Sequence, residues 1–315
     1  MRVLVTGGTG FVGQVLIRHL QQAGHQVRLL LRPSATSPRL PRGVETEVAI
    51  SALGDARSLR AALVGIEAVY HLAGVENRGA YASLQETDIL GSKSIAAACS
   101  DAGIARLFYL SHLGADRASA YPVMKAKAIA EAHIRSSTAP ATIVRSGILF
   151  GENDNFSHGL AWMAYALPFI FLAPGDGRSL LQPLWVEDLA ACLTWMLDEP
   201  ETANQLYEIG GSEYFSFEQA VGVILETLNL RRQMVYIAPP YLKALVVLLE
   251  RWFPASPVSV YWLDYLSANH TSALDTLPRL FHLMPARFSP PQLGYLRQIH
   301  WRRRVLYSLW RRTKF

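Results

Sequence analysis

Tyr121 and Lys125 stand four residues apart in a segment that reads as a helix, so one turn places them on the same face. An ammonium beside a phenol favours the phenolate and lowers the tyrosine pKa. The hydroxyl then becomes a usable proton donor or acceptor near neutral pH. A tyrosine and a lysine at this spacing also arise by chance. What gives this pair weight is its place directly after a strand that ends at Ser111. Ser111 and the adjacent His112 are candidates to steady a substrate oxygen or to share in proton transfer, with a hydrogen-bonded structural histidine as the alternative for His112.

A second constellation lies at the N-terminus. Thr6-Gly7-Gly8-Thr9-Gly10-Phe11-Val12-Gly13 falls between a short apolar strand and a helix. Gly7 permits a tight turn, Gly10 lets backbone approach a pyrophosphate, and Gly13 allows helix to pack closely on strand. The helix start offers the N–H groups of Phe11, Val12 and Gly13 to phosphate. An acid at the end of the second strand would grip a ribose 2′-hydroxyl and favour NAD. Here that strand ends Leu29-Leu30-Leu31-Arg32. Arg32 suits a 2′-phosphate, which favours NADP(H) over NAD(H), and a solvated strand-end cation is the alternative. Asp55 either accepts from the adenine amino group, caps the helix beginning near Ala56, or does both. Ala73 and Gly74, after the strand Ala68–Leu72, would pass the cofactor as backbone. Lys125 would then also be within reach of the nicotinamide ribose.

These residues need a frame. Val3–Thr6, Val27–Leu31, Val44–Ile50, Ala68–Leu72, Ala105–Ser111 and Ala141–Arg145 read as strands. Gly13–Ala23, Leu84–Ser100 and Tyr121–Ser136 read as helices between them. Continuous apolar strands alternating with helices predict an α/β fold, a Rossmann-type doubly wound parallel sheet over residues 1–150. Gln205–Ile209 reads as a later strand, so segments of 151–230 are expected to complete the sheet. Glu187–Leu197 and Phe217–Leu228 read as helices. Residues 151–315 read as a smaller, mostly helical lobe on the substrate side, carrying Arg178 as a candidate anion contact or plain loop cation. Asp188 is read as ordering a helix start.

Composition sets the bounds. The 315 residues are 50% hydrophobic and 17% charged, too apolar for a disordered chain. Cys99 and Cys192 form neither a disulfide framework nor a zinc spacing, and no metal is expected. The start of the chain does not read as a secretory signal. The longest apolar stretch, Leu160–Ala173, is too short for a span of about 20 residues. Of the +5 net charge, residues 297–315 hold six arginines, one lysine and no acid, leaving the rest at −2. The body therefore lacks the general basic character of a nucleic-acid binder. The tail interleaves arginines with Trp301, Val305, Leu306, Leu309 and Trp310. Their apolar face covers about half a helical wheel, with Arg302 inside it. This suits an anionic membrane surface, a protein partner, or docking on the lobe itself. A cytoplasmic location is expected, with the tail able to bring the chain to the inner face of a membrane.

The glycine pattern, Arg32, His71–Gly74 and Tyr121/Lys125 together resemble the short-chain dehydrogenase/reductase superfamily in its extended and atypical branch, which is epimerase/dehydratase-like. Ser111-His112-Leu113, Phe150–Phe156 and Gln182–Ala190 are similar to the accessory NADPH-binding subunits of respiratory complex I and their bacterial relatives. The likeness is weaker beyond residue 230. It departs from the superfamily pattern at His112, which stands in or beside the place of a catalytic serine, at Asp88 in place of a helix asparagine, and at Ser146 in place of a proline. The resemblance implies hydride transfer between a nicotinamide and a carbonyl or alcohol carbon. Tyr121 would move the proton, Lys125 would tune it, and Ser111 or His112 would hold the oxygen. A non-catalytic NADPH-binding subunit of a membrane-associated respiratory complex and an epimerase or dehydratase are the rival readings.

Overall fold

In the computed structural model, the described residues are 1–34, 43–75, 79, 82–253, 257–266 and 268–310. The chain forms two units by its internal contacts. The first comprises Met1–Val75, Ser83–Ser146 and Val186–Glu208. The second comprises Glu76–Ala82, Gly147–Trp185 and Ile209–Phe315.

The first unit follows the apolar runs. Its strands are β1 (Arg2–Thr6), β2 (Gln26–Leu31), β3 (Glu47–Ile50), β4 (Ala68–His71), β5 (Arg106–His112), β6 (Ala141–Ser146) and β11 (Leu206–Ile209). They hydrogen-bond in the order β3-β2-β1-β4-β5-β6-β11 as a parallel sheet. The β11 register follows from Ile143 N–H donating to Gln205 O and Gly147 N–H to Ile209 O. The helices are α1 (Phe11–Gln22), α2 (Ala56–Leu63), α3 (Gly91–Asp101), α4 (Pro122–Arg135) and α6 (Val186–Asp198). Leu4, Val69, Leu107 and Tyr109 bury one sheet face against α2, α3 and α4. On the other face Tyr70 stacks on Phe108 and its hydroxyl donates to Leu193 O of α6. Burial on both faces explains why these strands are apolar runs rather than alternating ones. Strand order reverses between β1 and β4, the switch point where such sheets bind ligands at their carboxyl ends.

Two details differ from the sequence reading. The segment read as one helix over Leu84–Ser100 opens with wider, π-type turns over Gln85–Leu90 before α3 begins. Such turns recur at functional sites, and these carry the buried Asp88. Tyr121 is the N-cap of α4, with extended backbone, rather than a residue of its first turn.

The second unit is mostly helical. It holds α5 (Phe156–Ala166), α7 (Phe217–Thr227), α8 (Pro239–Trp252), α9 (Val260–Leu266), α10 (Thr276–Phe281) and α11 (Trp301–Trp310). Three two-stranded ladders accompany them. β7 (Leu149–Phe150) pairs with β10 (Leu184–Trp185), β8 (Ile170–Pro174) with β13 (Gln233–Ile237), and β9 (Leu180–Leu181) with β12 (Phe215–Ser216). Asp154 fixes the start of α5, accepting from the N–H groups of Gly151 and Ser157, the Ser157 hydroxyl and the Tyr295 hydroxyl. Ser216 and Gln219 form a reciprocal capping box on α7. Among the described residues no helix is long and apolar enough to cross a membrane.

Candidate functional site

The glycine segment turns from β1 into α1 at the switch point. Gly7 has φ +72°, and a Cβ there would lie 2.7 Å from the Leu72 carbonyl carbon and oxygen and 2.8 Å from Ala73 N. The turn is therefore pressed against the backbone that leaves β4. A Cβ on Gly13 would lie 2.5 Å from Gly7 O and 2.6 Å from Gly8 Cα. Only glycine lets the first turn of α1 sit on the loop. Gly10 N–H donates to Gly7 O at 2.9 Å, and Gln14 Nε2 braces Thr9 O at 3.0 Å. Gly10 is the N-cap, with no side-chain cap and no acid in the first turn. The first intrahelical bond is Gln14 N–H to Gly10 O. The N–H groups of Phe11, Val12 and Gly13 thus precede the helical ladder, at the positive end of its dipole. A cradle that rejects side chains and presents backbone donors fits a pyrophosphate.

Arg32 directly follows β2 and is exposed; among the described residues it makes no ion pair. Arg28, on the same strand, is already engaged with Glu47 at 2.9 Å. Asp55 caps α2, accepting from Arg57 N–H at 3.0 Å and Ser58 N–H at 3.3 Å. Hydrogen bonding from Ser58 holds its carboxyl below the usual aspartate value. Ala73 and Gly74 leave β4 partly buried.

Beneath the switch point lies a polar chain that the sequence reading did not assemble. His71, at the end of β4, is fully buried, with Nδ1 2.7 Å from Thr6 Oγ1 and Nε2 3.0 Å from Ser92 Oγ. Ser92 donates its proton to Asp88 O at 2.5 Å. Ser92 Oγ must then accept from His71 Nε2–H, and Nδ1 must accept from Thr6. The chain runs one way, from Thr6 to Asp88, through a neutral imidazole. Burial, then the charge of Lys127, pushes the His71 pKa down to about 3. The Asp88 side chain accepts from Val75 N–H at 3.3 Å and pairs with Lys127 Nζ at 3.2 Å. The Lys127 and Asp88 side chains are only 7% and 0% exposed.

The residues read as chemical are distributed differently from that expectation. Tyr121 is half-buried at the N-cap and Lys125 is exposed on the helix. The buried lysine of α4 is Lys127, and the residue one turn before it is the buried Val123. Periodicity held the signal: Val123, Lys127, Ala130 and Ile134 form one buried stripe, and Lys125 falls outside it. Ser111 Oγ donates to Glu131 Oε1 at 2.6 Å, and Arg145 grips the same carboxylate through Nε at 2.8 Å and Nη2 at 2.9 Å. That hydroxyl is committed to a buried network instead of standing ready for a substrate. His112 is buried, and its Nδ1 lies 2.7 Å from Leu113 O, so Nδ1 carries the proton. Asp188 lies in the first turn of α6 beside Glu187, which bridges Arg18 and His19. In the second unit Arg178 is exposed, and its N–H donates to Asp176.

Comparisons with known proteins bear on the family and the fold. A family model described as NAD(P)H-binding matches residues 7–161. The chain is 34% identical over 318 residues to the 2-alkyl-3-oxoalkanoate reductase of Stenotrophomonas maltophilia, covering 90% of this chain and 95% of that protein. It is 27% identical over 282 residues to the mitochondrial NADH dehydrogenase [ubiquinone] 1 alpha subcomplex subunit 9 of Arabidopsis thaliana, covering 86% and 70%. In fold it is similar to an Escherichia coli NADPH-dependent quinone oxidoreductase complexed with NADPH. The TM-score is 0.72 at 18% identity, over 92% of this chain and 98% of that one. The chain belongs to the NAD(P)-binding short-chain dehydrogenase/reductase superfamily, in its extended and atypical branch.

Proposed function

We propose that the chain is an NADP(H)-dependent reductase whose substrate is a ketone carried on an alkyl chain. The observation that carries this reading is the uncapped start of α1 over the Gly7–Gly13 cradle, with Arg32 and no acid at the end of β2. The Phe11, Val12 and Gly13 N–H groups would hold the pyrophosphate, and the Arg32 guanidinium the 2′-phosphate. Ala73 and Gly74 would line the cofactor's path. When bound, NADPH supplies hydride to the carbonyl carbon. Tyr121 then gives its phenolic proton to the carbonyl oxygen, which becomes the alcohol. Lys127, held near the switch point by Asp88, would take over the ribose contact expected of Lys125. The reductase relative at 34% identity supports the substrate class.

A second reading has its own support. Ser111 is tied to Glu131, Lys125 faces solvent and Val123 stands one turn before Lys127, so the buried lysine has no tyrosine at the four-residue spacing. That arrangement suits a chain that holds NADPH without turning it over, and a subunit of a respiratory NADH dehydrogenase is among the relatives. One experiment separates the two. The protein is purified gently, its bound nucleotide identified, and NADPH fluorescence followed as 2-alkyl-3-oxoalkanoates, simple ketones and quinones are added. The reductase reading expects oxidation that Tyr121→Phe abolishes. NADPH that stays bound and reduced against the whole panel supports the second reading. Failure to load any nucleotide refutes both.

A further inference from the structure

The C-terminal helix α11 has two unlike faces, and docking uses only one of them. Trp301, Val305 and Ser308 are buried. Trp301 stacks against Tyr165 of α5 at 6.2 Å and donates Nε1–H to Leu296 O at 2.8 Å. Trp162 Nε1–H donates to Ser308 Oγ at 2.9 Å. Residues 301, 305 and 308 are spaced as one stripe. On the opposite side, Leu306, Tyr307 and Trp310 are 60%, 50% and 88% exposed. Arg302 and Arg303 are exposed between them. Leu306 lies one turn from both Arg302 and Trp310, so aliphatic, aromatic and cationic groups share that face.

An aromatic, arginine-bearing face left in water asks for an occupant, and charge selects it. No acidic residue follows Asp275 in the sequence, and residues 297–310 hold four arginines. Arg304 is drawn over the Trp301 ring at 5.5 Å, which leaves Arg302 and Arg303 to face outward. The helix α8 also shows an outward apolar stripe of Tyr241, Leu248 and Trp252, but Arg251 is its one exposed cation and no charge pattern there chooses a partner. We infer that the outward face of α11 is an interfacial membrane-binding surface for anionic phospholipid. Trp310, Tyr307 and Leu306 enter the headgroup boundary, and Arg302 and Arg303 meet the lipid phosphates. An interfacial helix gains from its apolar face and from charge together, and neither alone gives firm attachment.

The test is co-sedimentation of the 315-residue chain with phosphatidylcholine vesicles, alone or containing roughly one-third phosphatidylserine. The expected result is binding to the anionic vesicles only, weakening as salt shortens the screening length. Each arginine near an anionic surface contributes about fivefold, so Arg302→Gln/Arg303→Gln weakens binding about 25-fold. Arg302→Lys/Arg303→Lys retains it. Leu306→Ser/Trp310→Ser removes the apolar part and weakens binding about tenfold or more. All four positions are exposed, so circular dichroism and thermal midpoints should match the parent chain. Equal binding to neutral vesicles, no binding at all, or unchanged binding by these variants overturns the inference. So does concentration-dependent dimerisation that Leu306→Ser/Trp310→Ser abolishes without vesicle binding, because the occupant is then a second copy of the chain.

Discussion

Two lysines separated by one residue on α4 should behave oppositely. Lys127 Nζ sits 3.2 Å from Asp88 Oδ1, with both side chains withdrawn from solvent, whereas Lys125 is exposed. Removing one member of a buried ion pair strands the other charge and costs about 3–5 kcal/mol. Lys127→Met and Asp88→Leu should each destabilise the first unit by that amount. The double variant exchanges the pair for apolar groups of similar volume and should lie within about 1–2 kcal/mol of the parent, which implies a coupling of about 4 kcal/mol or more. Lys125→Met should change stability by less than about 0.5 kcal/mol. A chain of two units need not unfold in one step, so hydrogen exchange of the buried α4 amides is the suitable assay. NADPH affinity, read by fluorescence, should follow the same split. The reasoning fails if Lys125→Met costs as much as Lys127→Met, or if the double variant costs the sum of the singles.

Other consequences are equally direct. Arg32→Ala should weaken NADPH binding about 10- to 100-fold, the loss of a charge-assisted contact, and leave NADH within about twofold; equal losses for both would assign Arg32 no part in selection. His71 has its pKa lowered to about 3, so the folded chain binds fewer protons than the unfolded chain between that value and an ordinary one near 6.5. Its contribution is complete above pH of about 6.5 and is lost as pH falls toward 3, by at most ~1.4 kcal/mol per pH unit. In denaturant titrations, His71→Gln should flatten that slope, and nitrogen chemical shifts should report the neutral Nε2–H form at pH of about 5; an imidazolium there would contradict the directional chain. Gly13→Ala places a methyl 2.5 Å from Gly7 O and should abolish nucleotide binding while costing about 1–3 kcal/mol in thermal unfolding. Gly222→Ala, in α7 with nothing within 4 Å of the new Cβ, should instead stabilise by about 0.5–1 kcal/mol.

What the sequence reveals here follows the range of the interactions involved. The cradle from Thr6 to Gly13 is legible because strand, turn and helix start are contiguous, and Gly10 and Gly13 answer to Gly7 and Gly8 close in the chain. The long-range contact of Gly7 with Leu72 and Ala73 repeats what the turn already demands, whereas that of Gly8 with Leu29 of β2 shows only in the fold. Asp55 stays ambiguous in sequence because capping and adenine recognition ask for the same carboxylate, and only the two N–H groups beneath it bring out the cap. The bond that Ser111 makes to Glu131 is hidden from the sequence for a different reason. Alternation along β5 turns Tyr109 and Ser111 to the α4 side and His112 to the other. Which side holds a waiting partner depends on Glu131, twenty residues on, and on Arg145 beyond it. Lys125 was the natural choice on spacing from Tyr121, because a four-residue interval is a local rule. The fold buries Lys127 instead, since the stripe through Val123, Ala130 and Ile134 fixes which side of α4 meets the sheet. The tail makes the same point in reverse. A helical wheel merges Trp301, Val305, Leu306 and Trp310 into one apolar half, whereas packing on α5 takes Trp301 and Val305 and leaves Leu306 and Trp310 facing away. An apolar residue on a wheel is thus a claim about burial that only a partner can honour, and Leu306 and Trp310 are the two of these four that stay exposed.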